Sequence, residues 1–206
     1  MDLVAAALVA YLIGSISFAV LVSRAFGLPD PRSYGSGNPG ATNVVRTGRR
    51  SAAVLTLLGD ALKGGFAVAM VQQHVVGNPL AAGVAAVAVT AGHMWPVYFR
   101  FQGGKGVSTA VGVLAALDAW LAAGAAATWL IIACFFRISS LAALIATAFA
   151  VFFSFFLHGM GRLPLELALS VTVVGVLLVW RHRANIRNLI AGTEGRIGGG
   201  TTGAPG

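Results

Sequence analysis

The sequence has few acidic residues, a single cysteine and few charges of any kind. Six of its 206 residues are Asp or Glu, and charged residues make up 10% of the chain, against about 25% in an ordinary soluble domain. Hydrophobic residues reach 57% and the mean hydropathy is +0.84. These values exclude a typical water-soluble enzyme. The lone Cys134 excludes an intrachain disulfide and is predicted to be a buried small side chain.

The charges that are present are mostly positive. Fourteen Lys and Arg residues against six acids give a formal net charge of +8. Nucleic-acid binding is one common reason for such an excess. Here, however, the apolar stretches between the charges are long enough to cross a bilayer, which takes about 20 residues each. The sequence therefore predicts a membrane protein whose partner is the lipid bilayer, with no nucleic-acid partner.

Hydropathy predicts apolar runs at residues 3–23, 52–73, 80–99, 107–136, 139–158 and 164–180. The fourth run would form a helix about 45 Å long, well beyond a hydrocarbon core of about 30 Å. A break near Asp118 would divide this run into two helices.

The basic residues decide in favour of that break. They cluster in residues 24–50, in the loop with Arg100 and Lys105, and in the segment that begins at Arg181. Short loops rich in Lys and Arg face the cytoplasm, so an even number of spans must separate these clusters. We therefore predict an all-α integral membrane protein with seven transmembrane helices, the fourth short, an outside N-terminus and a cytoplasmic C-terminus. Residues 1–194 would form one membrane-embedded domain and residues 195–206 a flexible Gly-rich tail.

The first basic cluster contains a loop rich in glycine and short polar side chains. Glycine permits positive φ and close backbone approach, and Ser and Asn offer polar groups beside exposed amides. Such a loop can wrap an oxyanion, with an arginine supplying charge-assisted hydrogen bonds. A plain interhelical turn is the alternative. The candidate residues are Ser36, Gly37, Asn38, Gly40, Thr42, Asn43 and Arg46.

The second candidate segment, Gly-Gly-Lys-Gly at residues 103–106, leads directly into the fourth predicted helix. Glycines before a helix, with Ser108 or Thr109 as candidate N-caps, present free amides and the positive helix end to an anion. Lys105 adds a mobile charge. The spacing is not that of a Walker A loop, and a solvated lysine that marks the inner face is the alternative.

The third candidate segment continues from the last predicted helix. If it is helical, a spacing of three places His182 and Asn185 on one face, and Gly192 is a candidate C-cap. Histidine can serve as a general base or a phosphate ligand. The alternative is a juxtamembrane basic helix that binds anionic lipid headgroups through Arg183 and Arg187.

Further polar residues lie at or near the membrane. Asp60 and Lys63 are charged residues at membrane depth, and we predict a structural ion pair. Ser139 and Ser140 begin the sixth predicted helix, where they could act as N-caps and reach an anion. His93 lies near the second segment and is predicted to be a core histidine.

A carboxylate cluster is missing from the predicted cytoplasmic loops, whose acids are Asp30 and Glu194. Mg²⁺ sites and acid/base pairs need more carboxylates than this, and no GxSxG nucleophile motif is present. Metal-dependent and nucleophilic-triad mechanisms are therefore disfavoured, and we predict no metal and no cofactor.

Taken together, the three segments resemble the signature motifs of the PlsY family, the bacterial acyl-phosphate:glycerol-3-phosphate acyltransferases. The resemblance extends to Glu194 and rests on segments in the same order with similar spacing. The matching residues are Gly35 to Asn43 with Arg46, then Gly103, Gly104, Lys105 and Gly106, and then His182 and Asn185 with Gly192, Thr193 and Glu194.

This resemblance implies transfer of a fatty acyl group from acyl phosphate to the 1-hydroxyl of sn-glycerol 3-phosphate, the first acylation of phospholipid biosynthesis. It implies a multi-pass protein of the bacterial cytoplasmic (inner) membrane whose site faces the cytoplasm. The expected catalytic residues are Ser36, Arg46, Lys105, His182 and Asn185. Glu194 would act structurally through a nearby arginine. The expected substrate-binding residues are Gly37, Asn38, Gly40, Thr42, Asn43, Gly103, Gly104, Gly106, Ser139 and Ser140.

Two other classes of function remain open at this point. An anion channel or carrier could use the same glycine loops as phosphate sites, although the sequence lacks an inverted repeat. A lipid-binding scaffold without turnover would also place basic loops at the headgroups.

Overall fold

Each apolar run forms helix in the computed structural model, which describes residues 1–197. No strand occurs among these residues. The α-helices are α1 (Leu3–Gly14), α2 (Phe18–Ala25), α3 (Ala41–Val44), α4 (Arg50–His74), α5 (Pro79–Met94), α6 (Val107–Leu117), α7 (Ala119–Phe136), α8 (Ser139–Gly159), α9 (Leu165–Arg181) and α10 (Arg183–Ile190). Two short 3₁₀ turns cover Val45–Thr47 and Val97–Phe99.

Several of these helices are long and apolar enough to cross a bilayer. Five stretches meet this criterion, namely Leu3–Ala25, Arg50–His74, Pro79–Phe99, Ala119–Phe136 and Ser139–Gly159, while α6 is shorter and α9 meets α10 at a bend of 59°. Large apolar side chains such as Leu62, Phe135 and Phe152 are exposed, as lipid-facing residues would be. Cys134 is exposed on α7, so the prediction that it is buried was wrong.

The predicted break near Asp118 is present. Helix α6 ends at Leu117, Asp118 has an extended backbone, and its carboxylate caps α7 by accepting a 2.9 Å hydrogen bond from the Leu121 amide. Arg162, in the connection from α8 to α9, donates to Asp118 Oδ2 at 3.0 Å. The α6–α7 and α8–α9 connections therefore lie at the same end of the helix bundle.

The first span contains a break that we did not predict. The predicted apolar run at residues 3–23 is confirmed as one span, Leu3–Ala25, but within it α1 ends at Gly14 and α2 begins at Phe18. The Ile16 carbonyl in the gap accepts a 2.5 Å hydrogen bond from Lys63 Nζ on α4. A lysine at membrane depth needs polar partners, and the broken helix supplies one.

Small residues allow the helices to approach closely. A Cβ added at Gly14 would overlap the backbone of Val89, and one at Gly112 would overlap the Ala61 carbonyl. These contacts join α1 to α5 and α6 to α4. Close backbone approach through small residues is the usual packing of membrane helices, and here Gly112 holds α6, which follows the second candidate segment, against α4.

The chain after α10 returns to the bundle. The Ile197 amide donates to the Arg137 carbonyl at 2.6 Å, and Arg137 Nη2 donates to the Ile197 carbonyl at 3.1 Å. Residues 198–206 of the predicted tail lie outside the described residues.

Candidate active site

The loop of the first segment is organised around the side chain of Asn43. Its Nδ2 donates to the carbonyls of Pro31 and Tyr34 at 2.7 and 3.1 Å, and its Oδ1 accepts from the Ser36 amide at 3.1 Å. Asn43 is buried. The structure therefore puts Asn43 inside the loop scaffold, where it holds the backbone of the exposed Ser36; a role of Asn43 in substrate binding stays a prediction.

Positive φ angles at Gly35 and Gly37 let this loop fold back on itself. A Cβ at Gly35 would overlap Asn43 Oδ1 and lie 3.3 Å from Arg46 Nη1. The Arg46 guanidinium consequently lies against the loop backbone beside Ser36. The neighbouring Thr42 hydroxyl is 3.3 Å from the Ser139 hydroxyl, which connects the first segment to the start of α8.

The loop of the second segment is held by α5 and α9. The Gly104 amide donates to the His93 carbonyl at 3.1 Å. Arg181, the last residue of α9, donates from Nη2 to the Gly103 carbonyl at 2.7 Å and from Nε to the Gly104 carbonyl at 3.1 Å. A Cβ at Gly104 would overlap the His93 ring and lie 2.9 Å from the Pro39 carbonyl. The second segment therefore packs directly against the first.

The helix cap at the start of α6 differs from the prediction. Gly106, with φ of +87°, is the N-cap, and no side chain caps the helix. The expectation that Ser108 or Thr109 would do so was wrong. Thr109 is fully buried, and within residues 1–197 its hydroxyl has no hydrogen-bond partner. The first amides of α6 thus point out of the helix end without a side-chain acceptor, as an anion-binding helix N-terminus requires.

Lys105 is the half-buried cation of this loop. Burial lowers the pKa of its ammonium, the nearby charges of Arg181 and Arg46 lower that pKa further, and Glu194 opposes the shift. Charged side chains of the first segment (Arg46) and the third segment (Glu194), together with Arg181 at the end of α9, therefore act on Lys105. The site carries an excess of positive charge that an anionic ligand would neutralise.

His182 lies at the bend between α9 and α10, beyond the end of the α9 span. It is buried, and burial lowers its pKa to about 4. The imidazole is therefore neutral near pH 7. Its Nδ1 lies 2.7 Å from the Leu178 carbonyl, and since a carbonyl only accepts, Nδ1 carries the proton. The other nitrogen, Nε2, is left with a lone pair that can accept a hydrogen bond.

Glu194 joins the third segment to α8. Its Oε1 accepts hydrogen bonds from Asn185 Nδ2 and from the Ser140 hydroxyl, each at 2.6 Å. The predicted partner, an arginine, was wrong, because no salt bridge to Glu194 occurs in residues 1–197. Ser139 and Ser140 are also not the N-caps of α8, since Ile138 occupies that position.

The first and third segments also come close to each other at Arg46. A Cβ at Gly195, the residue after Glu194, would lie 4.0 Å from Arg46 Nη2. The structure therefore brings together the predicted residues Ser36, Arg46, Lys105, His182, Asn185 and Ser140. It leaves Asn43 in the scaffold.

Two supporting features lie behind the second segment. The predicted ion pair is present, with Lys63 Nζ 2.7 Å from Asp60 Oδ1, and both side chains are buried. His93 Nδ1 lies 3.4 Å from the same carboxylate oxygen, and His93 also contacts Gly104. A buried charged cluster therefore underlies the glycine loop.

Sequence reasoning missed Arg181 as a residue of the site. It was counted only as one of the basic residues that indicate orientation. The signal that could have singled it out is its position immediately before His182, at the point where an apolar helix ends. In the structure, its guanidinium holds two carbonyls of the glycine loop and lies 5.8 Å from the Trp95 ring centroid.

Comparison with known proteins gives concordant matches. A family model described as glycerol-3-phosphate acyltransferase matches residues 4–192. A glycerol-3-phosphate acyltransferase of Burkholderia pseudomallei (strain 1710b) is 57% identical over 198 residues, covering 96% of this chain and 97% of the relative. One from Burkholderia lata is 59% identical over 198 residues, with coverages of 96% and 92%.

Two crystal structures of PlsY (YgiH), an integral membrane glycerol 3-phosphate acyltransferase, are similar to this chain. The glycerol 3-phosphate form has a TM-score of 0.87 and 36% identity, covering 95% of this chain and 96% of that one. The lysophosphatidic acid form has a TM-score of 0.86 and 35% identity, with 94% of each chain covered. Fold and sequence thus point to the same set of proteins.

Proposed function

The chain belongs to the glycerol-3-phosphate acyltransferase family, and from this premise we propose that it takes the acyl group from acyl phosphate. The acceptor would be the 1-hydroxyl of sn-glycerol 3-phosphate, and the products 1-acyl-sn-glycerol 3-phosphate (lysophosphatidic acid) and phosphate. Membership of this family makes the chain an acyltransferase of phospholipid biosynthesis with an all-helical, integral membrane fold. The donor, the product and the residue roles are the proposed part.

The observation that carries the proposal is the convergence of three segments around Lys105. Both substrates bear a phosphate, so the reaction needs two anion sites at one membrane edge. The amides at the start of α6, the Lys105 ammonium and the Arg46 guanidinium supply such sites. The lysophosphatidic acid form of the matched PlsY structure agrees with the proposed product.

An apolar groove leads away from this cluster. It runs between α6, α7, α8 and α9, and it begins at Val107, two residues after Lys105. Its lining includes Ala110, Leu114, Trp129 and Val174. A fatty acyl chain that lies in this groove would bring its carboxyl end to the start of α6. Its volume is about 50 Å³, too small to enclose a long acyl chain, so the groove agrees with the proposed donor only in the apolar character of its lining.

The chemistry that we propose needs little from a general base. The glycerol 1-oxygen attacks the carbonyl carbon of acyl phosphate, the bond from that carbon to the phosphate oxygen breaks, and the departing phosphate takes the hydroxyl proton. Because the donor is already activated, the site mainly has to align the two substrates and stabilise the developing oxyanion. His182 Nε2 would accept the hydrogen bond of the attacking hydroxyl and orient it.

Asn185 and Glu194 would act together in this scheme. Because Glu194 accepts from Asn185 Nδ2, the amide of Asn185 is fixed with its oxygen free to accept from a substrate. Ser36 would donate to a phosphate oxygen, and Gly103, Gly104 and Gly106 would let the glycerol 3-phosphate phosphate approach the loop backbone. No cofactor or metal is part of the proposal.

We propose the same membrane arrangement as the sequence predicts. Seven helices would cross or enter the bacterial cytoplasmic membrane, with α6 the short one, and the site would face the cytoplasm. The Asp118–Arg162 contact supports this arrangement. It joins the α6–α7 connection to the α8–α9 connection, and both connections would lie on the outer side of the membrane. Residues 1–194 would form one catalytic domain.

The test uses purified protein with palmitoyl phosphate and glycerol 3-phosphate, without added metal. We expect release of phosphate and formation of lysophosphatidic acid in equal amounts, measured by a phosphate assay and mass spectrometry. Lys105→Ala should abolish both, while Arg49→Ala, which removes an exposed charge at the start of α4, should not. Equal or better activity with acyl-CoA would refute the proposed donor, and normal turnover by Lys105→Ala would refute the site.

A further inference from the structure

A second basic cavity opens beside the candidate active site, at the end of α2 and the turn after α5. Its volume is about 690 Å³, within the range of about 300–1,000 Å³ that is usual for small-molecule sites. The lining residues are Arg24, Asp30, Arg32, Ser33, Tyr98, Phe99, Arg100 and Gln102. None of the residues assigned above to catalysis or substrate binding is among them.

The single acid in this cavity is already neutralised. Arg32 donates to Asp30 through Nη2 at 2.6 Å and through Nε at 2.9 Å, and the Arg32 amide adds a third hydrogen bond of 2.9 Å. These interactions hold the pKa of the Asp30 carboxyl below its usual value. Asp30 therefore stays charged and paired, so it does not repel a bound anion as a free carboxylate would.

Two guanidinium groups remain available in the cavity. Within residues 1–197, neither Arg24 nor Arg100 forms an ion pair. Two such groups, with the amide of Gln102 in the same lining, suit a phosphate group, which accepts charge-assisted and often bidentate hydrogen bonds from arginine. The Ser33 hydroxyl is not a further donor, because it already donates to the Asp30 carbonyl at 2.8 Å.

The backbone of one cavity wall has an uncommon conformation. Arg100 and its neighbour Phe101 have φ angles of +53° and +60°, the left-handed region that residues other than glycine rarely adopt. Such conformations tend to occur at functional sites, where the surrounding structure holds them. Here the conformation turns the chain sharply between α5 and the glycine loop, at the position where Arg100 lines the cavity.

Exposed aromatic residues lie in the lining of the cavity and close to it in the chain. Tyr98 lines it, and Phe26 and Phe101 lie next to it in the chain; all three are exposed. Exposed aromatic residues at helix ends are typical of the membrane–water interface, and basic pockets at this depth bind lipid headgroups. In the proposed membrane arrangement, the cavity would open where phospholipid phosphates are concentrated.

We propose that this cavity is a second phosphate-binding site, distinct from the catalytic one, whose two main ligands are Arg24 and Arg100. Its phosphate comes either from the headgroup of an anionic phospholipid or from a small phosphate in solution. Both sources share the chemistry that the cavity recognises.

Native mass spectrometry of the detergent-solubilised full chain tests this site. The protein is titrated with dioctanoyl phosphatidylglycerol and, separately, with inorganic phosphate. The variant Arg24→Ala/Arg100→Ala is compared with Arg49→Ala/Arg50→Ala, which removes the same charge from the exposed start of α4. We expect the cavity variant to bind at least one of the two probes about tenfold more weakly, and the control variant to match the original chain within about twofold.

The outcomes separate the two sources and the null result. Loss confined to phosphatidylglycerol identifies a lipid headgroup site, and loss confined to inorganic phosphate identifies a site for a soluble anion. Equal affinities of the two double variants for both probes would overturn the proposal, since binding would then follow net charge alone. Acyltransferase activity of the cavity variant should stay within about twofold of the original, which distinguishes this site from the catalytic one.

Discussion

The guanidinium of Arg181 donates a 2.7 Å hydrogen bond to the carbonyl of Gly103, and a second bond from the same group reaches Gly104. Arg181 ends α9, whereas the glycines precede α6. The contact therefore fixes the height of the glycine loop relative to the end of α9, and so relative to His182, the next residue along the chain.

Arg181→Lys should lower kcat/KM for glycerol 3-phosphate by about 10- to 100-fold, because each charge-assisted hydrogen bond is worth about 1.5–3 kcal/mol and lysine cannot make both at once. Steady-state kinetics at varied glycerol 3-phosphate measures this. Arg183→Lys is the matched control, since Arg183 is exposed and lies over the Trp180 ring, and within residues 1–197 its side chain donates to the Trp180 carbonyl alone. Equal kinetics for the two variants would contradict the inference that the hydrogen bonds from Arg181 position the glycine loop.

Gly104→Ala should impair the loop without unfolding the chain. The added Cβ would overlap the His93 ring and lie 2.9 Å from the Pro39 carbonyl, so the loop must shift. Misplacement of a substrate-binding group by about 1 Å can cost about 100-fold in rate. Kinetics should show a raised KM for glycerol 3-phosphate.

Gly159→Ala serves as the control for that substitution, because nothing lies within 4 Å of a Cβ there and Gly159 is helical. It should leave both activity and thermal stability unchanged or slightly improved. A Gly104→Ala enzyme with the kinetics of the Gly159→Ala enzyme would show that the loop tolerates the side chain.

The ion pair between Asp60 and Lys63 predicts a stability effect that depends on which partner is lost. Asp60→Leu leaves the Lys63 ammonium buried without its counter-ion and should destabilise the chain by about 3–5 kcal/mol. Asp60→Leu/Lys63→Met removes both charges and should be less destabilised than Asp60→Leu alone. Denaturation in detergent, followed by tryptophan fluorescence, compares them. A double variant at least as unstable as the single one would contradict a charge-based cause.

Local features of the site could be predicted from the sequence, and contacts between distant segments could not. The glycine loops, Lys105, Arg46 and the Asp60–Lys63 pair are recognisable because each is set by neighbouring residues or by helical spacing. The bond from Lys63 to the Ile16 carbonyl joins residues 47 positions apart. The pair Gly14 and Ser15 is a local signal for the break in the first span, whereas the hydrogen bond that Lys63 makes across the break has no such signal.

The N-caps of α6 and α8 could not be predicted from local sequence either. Ser108, Thr109, Ser139 and Ser140 are good N-cap types, yet Gly106 and Ile138 occupy the cap positions. At α6, the loop needs a positive φ at Gly106, which favours glycine over a capping side chain. At α8, the Ser140 hydroxyl is used by Glu194, 54 residues away. Tertiary contacts therefore override the local preference at both sites.

His182 predicts a specific pH dependence of stability. Its pKa is about 4 in the folded chain, where it is buried, and 6.5 is the ordinary value. Between these values the unfolded chain binds more protons than the folded one, so stability falls as the pH falls from about 6.5 towards 4, by up to roughly 3 kcal/mol from this group. Above pH 7 the imidazole is neutral in both states and contributes no pH dependence.

His182→Gln should therefore lose less thermal stability than the original chain when the pH is lowered from 7.5 to 5. Melting temperatures in detergent at both pH values measure the difference. His74→Gln, which alters an exposed histidine at the end of α4, is the matched control variant. If His182→Gln shows the same fall in melting temperature as His74→Gln, the imidazole is not held neutral by burial. That result would contradict the neutral imidazole on which the proposed role of Nε2, as acceptor of the substrate hydroxyl, depends.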